Sequence, residues 1–79
     1  MSVWITVQTY KDQIRDYERS IQDYNKAVEA WDKADLQGKD RAADKMQKAL
    51  DEMTQREQDL LTLRQDIEDM MDSLSDSNQ

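Results

Sequence analysis

Val3, Val7, Tyr10, Ile14, Tyr17, Ile21, Tyr24, Val28 and Trp31 follow one another in alternating steps of four and three residues. A strand brings side chains back to one face every second residue, so this spacing excludes one. It is the a/d pattern of a helix that packs along a seam, with Val and Ile at a and rings at d. The positions just before a are Gln13, Ser20, Ala27 and Ala34. Their modest size leaves room for another helix to approach on that side.

A second periodic segment begins near Asp40. Met46, Met53, Leu60, Ile67 and Leu74 recur every seventh residue, flanked by Ala49, Leu63 and Met70 on one side and Leu50 and Met71 on the other. This stripe is wider than a two-strand seam and suits a bundle helix. Between the two segments lies DLQGKDRAAD, with the chain's one glycine at Gly38. Gly38 reads as a left-handed helix terminator, and Asp40 as the N-cap of the second helix. The expected fold is all-α: a single hairpin domain over residues 1–79, with a first helix at about 6–36, a turn at 37–40, a second helix at about 41–74 and a frayed tail at 75–79. A short connection makes the helices antiparallel neighbours.

Folding back at Gly38 sets Trp31 opposite Met46, Tyr24 opposite Met53, Tyr17 opposite Leu60 and Tyr10 opposite Ile67. The same register places Glu57 near Arg19 and Arg64 near Asp12. Rings at d are too large for a slim two-helix seam, so two hairpins are expected to pair as a dimeric four-helix bundle. The expected core and oligomer seam is Tyr10, Ile14, Tyr17, Ile21, Tyr24, Val28, Trp31, Met46, Met53, Leu60, Leu63 and Ile67. The β-branched run through residues 3–9 leaves helix, strand or extended arm open there.

Composition narrows the function. With no His or Cys, the usual nucleophile–base arrangements and zinc sites are not available, and one glycine does not build a phosphate loop. The acidic run after Ile67 lacks the spacing of a calcium loop. These absences point away from an enzyme, a cofactor or a metal site. No apolar run reaches the ~20 residues of a membrane span, and the amino terminus lacks a basic flank, so a cytoplasmic location is expected, that of a host if the gene is phage-borne.

The net charge is −7. Residues 1–50 hold nine acids and nine bases, whereas residues 51–79 hold nine acids against Arg56 and Arg64. The whole imbalance therefore sits in the last third, which would repel a nucleic-acid backbone. Asp66, Glu68, Asp69, Met70 and Asp72, with Trp4 and Ile5 from the other terminus, are the candidate contacts for a partner with a basic surface. The leading expectation is an acidic, oligomeric, non-enzymatic module. It would inhibit or regulate such a protein, as a phage or mobile-element inhibitor with nucleic-acid-like charge would. Two alternatives stand beside it. One is a self-assembling adaptor, scaffold or secretion chaperone that uses the apolar seam. The other is a binder of a small anion between subunits, near Lys26 or the basic residues of the turn.

Overall fold

A computed structural model describes residues 3–77 as two helices, α1 (Val3–Lys33) and α2 (Lys39–Ser77), folded into an antiparallel hairpin. The rod measures 65 × 15 × 14 Å. α1 already includes the β-branched run, because no proline interrupts it and the heptad spacing continues through it. Residues 1 and 2 lie outside the described residues. α2 continues through most of the segment expected to fray, and residues 78 and 79 lie outside the description.

The turn differs from expectation in its chemistry. No residue among those described has a positive φ, Gly38 included. Asp35, rather than Asp40, caps the entry to α2. The Gly38 amide donates to Asp35 Oδ1 at 2.7 Å and to the Asp35 carbonyl at 3.1 Å, and the Lys39 amide donates to that carbonyl at 3.0 Å. A side-chain oxygen accepting from the amide three residues on is N-cap geometry. The helical bonding then continues with the Ala42 amide donating to the Gly38 carbonyl at 3.0 Å. Asp40 falls in the first turn of α2, where its charge complements the helix dipole. Glycine suits position 38 for space: an added Cβ would stand 3.1 Å from Asp35 Oδ1.

Lys39 closes the other side of the turn. Its Nζ donates to the Trp31 carbonyl at 2.9 Å, and it lies 4.1 Å from the centroid of the Trp31 ring. One side chain thus adds a second donor to the Trp31 carbonyl, which also accepts from the Ala34 amide at 3.2 Å, and makes a cation–π contact of about 0.5–1 kcal/mol.

α2 carries its own lateral support. Gln47, Gln55 and Gln65 donate amide hydrogens to Asp51, Asp59 and Asp69 at 2.9, 3.0 and 3.0 Å. Arg56 pairs with Glu52 at 3.9 Å and Arg64 with Glu68 at 3.2 Å. All five contacts join residues four apart, and each is worth about 0.2–0.5 kcal/mol. Arg64 therefore takes its partner from its own helix and not from Asp12, the residue that the folded register sets near it. An acceptor within one turn needs no alignment between helices.

Replacing the cap tests this account of the turn. Asp35→Ala should destabilise the chain by about 1 kcal/mol in urea denaturation, while Asp35→Asn retains most of the stability. Equal losses from the two would show that the carboxamide oxygen does not substitute and that the cap is misassigned.

Candidate protein-interaction surfaces

The line of α1 packed most closely on α2 is not the a/d seam. Among the described residues, Thr6 and Ser20 are the buried ones, with 2% and 4% of their surface exposed. They belong to a series spaced by seven, Thr6, Gln13, Ser20, Ala27 and Ala34, whose other members are half-buried. The facing line on α2 is Ala42, Met46, Ala49, Met53, Arg56, Leu60, Leu63, Ile67 and Met70, all half-buried and in steps of four and three. Short side chains on α1 let the helix backbones approach, whereas tyrosine and isoleucine at the same line would hold them apart.

This choice rotates the aromatic ridge sideways. Tyr10, Tyr17 and Tyr24 follow the buried line by four residues, and Ile14, Ile21 and Val28 follow it by one. At 3.6 residues per turn these steps turn about 40° and about 100° in the same sense, so both ridges fall on one flank. They are half-buried there, and Trp31, 36% exposed, continues the ring line towards the turn. No apolar side chain among the described residues is fully buried.

The opposite flank is polar. Asp16, Arg19 and Asp23 line a shallow hollow with Ser20, Glu52 and Arg56. A second hollow nearer the turn has a floor of Ala27, Ala30 and Ala42, with Arg41 and Lys45 beside it. Both hollows place the same helical lines together, three residues after or one before the buried line on each helix. By the same phase, Met46, Met53, Leu60 and Ile67 of α2, with Leu50 and Met71, join the tyrosines on the other flank. The hairpin has a polar flank and a largely apolar one, and the exposed Glu57 and Arg64, in line with Leu50 and Met71 on α2, interrupt the apolar flank. Leu63 sits between the flanks on the helix–helix line.

Buried polarity at this line is only partly satisfied. Ser20 Oγ donates to the Tyr17 carbonyl at 2.6 Å. Gln13 Oε1 is buried without a hydrogen-bond partner. A buried acceptor in that state costs about 1–3 kcal/mol.

The open end gathers the remaining candidate contacts. Asp66, Glu68, Asp69 and Asp72 are exposed, and Met70 is half-buried against α1. Trp4 and Ile5 are 69% and 53% exposed, and Met71 and Leu74 are exposed beside them on the rod. Ile5 precedes the buried line of α1 by one residue, so it shares the polar flank with Asp66 and Asp69. Trp4 lies one turn before Val7, at the outer edge of the apolar flank. Because α2 runs on to Ser77, Asp69 and Asp72 stand more than a turn inside the helix, where the macrodipole penalty fades. Among the described residues no group of three carboxylates has the geometry to hold a metal ion, and no helix is long and apolar enough to cross a membrane. Lys26 is exposed and does not line either hollow.

No family model, curated protein or solved structure matches this chain.

Two substitutions separate the closely packed line from the ridges beside it. Gln13→Met removes the unpaired acceptor and should stabilise the chain by about 1 kcal/mol or more. Ser20→Leu forces the helices apart and should cost about 1–3 kcal/mol. Denaturation midpoints that moved the other way would place a different line between the helices.

Proposed function

We propose that this chain is a non-enzymatic protein-interaction module, whose acidic open end binds the basic surface of a protein partner and thereby inhibits or regulates it. The carrying observation is the composition of that end: exposed Ile5 shares a flank with exposed Asp66 and Asp69, and Trp4, Met71, Leu74, Glu68 and Asp72 are exposed at the same tip of the rod. Isolated carboxylates solubilise a helix. Carboxylates beside large exposed apolar groups make a surface with both steering charge and area to bury. The last third of the chain holds the whole net charge of −7. Carboxylates displayed along a stiff helix offer the kind of negative surface that a nucleic-acid-binding protein accepts, and charge mimicry follows from that likeness.

The uncovered apolar flank favours the second reading, assembly as the principal role, in an adaptor, scaffold or secretion chaperone. The two readings separate by substitution. Under the first, reversing Asp66, Asp69 and Asp72 to Lys together abolishes capture of basic proteins from lysate at low salt and leaves the oligomer mass unchanged. Under the second, that variant behaves as wild type, and Tyr17→Asp removes function by breaking assembly. Capture compared across wild type, the triple variant and Tyr17→Asp, with light scattering for mass, decides between them.

A further inference from the structure

The apolar flank lacks a cover, and the distribution of charge and side chains along it selects one. The chain exposes 6391 Å². A folded monomer of 9.4 kDa is expected to expose about 5,000 Å², so this one carries about 1,400 Å² more. That excess matches what each protomer contributes to an obligate dimer interface, where roughly 2,000–5,000 Å² are buried in total. A rod of 65 × 15 × 14 Å exposes more than a globule of its mass on every side, and the flank lined by Tyr10, Tyr17, Tyr24, Met53 and Leu60, none of them fully buried, is its largely apolar part.

Two such flanks pack face to face about a two-fold axis in one of two ways. An axis along the rod puts both turns at one end and stacks α1 on the partner's α2. An axis across the rod puts the turns at opposite ends and stacks α1 on α1 and α2 on α2. The charge separates these. In the first arrangement two acidic ends stand side by side, at the interaxial spacing of about 8–10 Å, which is about one Debye length at physiological salt. In the second, each acidic end lies beside a turn whose acids and bases nearly cancel, and the two acidic ends are separated by most of a 65 Å rod.

The side-chain pattern has the matching symmetry. The rings Tyr10, Tyr17 and Tyr24 are centred on Tyr17, and the α2 line Ala43, Leu50, Glu57, Arg64 and Met71 is centred on Glu57. These centres lie at nearly one height, because Asp16, Arg19, Ser20 and Asp23 share a hollow with Glu52 and Arg56. A single axis across the rod at that height lays ring on ring along α1, and the turn end of α2 on its partner's open end.

We propose that a second copy of this chain covers the apolar flank in the antiparallel sense, giving a four-helix rod with an acidic binding end at each tip. The inference rests on the open end being the binding surface only for its consequence: the dimer is bivalent and bridges two partner molecules. Ile5, Asp66 and Asp69 are on the polar flank, so pairing leaves them accessible to a partner, whereas Met71 passes into the contact between the two copies.

The chain has no cysteine, so a nitroxide placed on Met71→Cys is unique. Met71 is 54% exposed and should accept the label without unfolding the hairpin. In the antiparallel dimer the two labels lie on opposite sides of the Glu57 level, at about 1.5 Å per residue, so the dipolar distance should be roughly 40 Å. A label on Glu57→Cys should read a distance of about 20 Å or less in either arrangement, since the axis passes near it. A similarly short Met71 distance would overturn the antiparallel order and leave the paired hairpin standing. Both labelled positions lie in the proposed contact, so the mass is read on the unlabelled wild-type chain: a monomer mass there in sedimentation would overturn the second copy as the cover. The charge-reversal capture experiment judges the acidic end separately, because a monomer still presents it.

Discussion

The packing of α1 against α2 along Thr6, Gln13, Ser20, Ala27 and Ala34 governs the molecule. These side chains are short or polar, so the backbones approach and little apolar area is removed from water between them. Hydrophobic burial is the main favourable term in folding, and here the hairpin's own contact leaves most of it uncollected. The tyrosines and isoleucines that would have supplied it stand half-exposed on one flank. A seam chosen for closeness thus produces a molecule that is polar on one side and largely apolar on the other.

The turn makes that seam reachable. Asp35 takes both the side-chain and main-chain roles at the entry to α2, and Gly38 leaves space for its carboxylate. Lys39 reaches back to the end of α1, holding the Trp31 carbonyl and ring together. Five residues therefore reverse the chain with no left-handed backbone. The tight reversal holds the two helices alongside each other over the full rod, and it fixes which residues share a height.

Much of this was legible in the spacing of residues. Steps of four and three announced helix, the break around Gly38 announced a hairpin, and the Gln13–Ser20–Ala27–Ala34 series was visible as a side open to another helix. The spacing did not say which line would face inward, because the aromatic ridge is the more hydrophobic and the small line wins on distance of approach. Asp40 stood in the usual cap position by sequence, yet Asp35 reaches the free amides once the turn is tightened. Residues 3–9 carry strand-favouring side chains, and the heptad continuing through them overrides that preference. The acidic end was readable as charge. That Ile5 shares its flank, while Met71 and Leu74 continue the other, required the helical phase of the folded rod.

The glutamine–aspartate contacts along α2 have one more effect. Gln47, Gln55 and Gln65 occupy Asp51, Asp59 and Asp69 through neutral amides, so order is gained along the helix without neutralising it. Dissolved ions screen attraction between separated charges and act far less on short contacts to neutral donors. Ionic strength therefore acts on what this surface attracts and, within α2, on the two arginine–glutamate pairs rather than on these amide contacts. A rise in salt dims the signal while leaving the antenna straight.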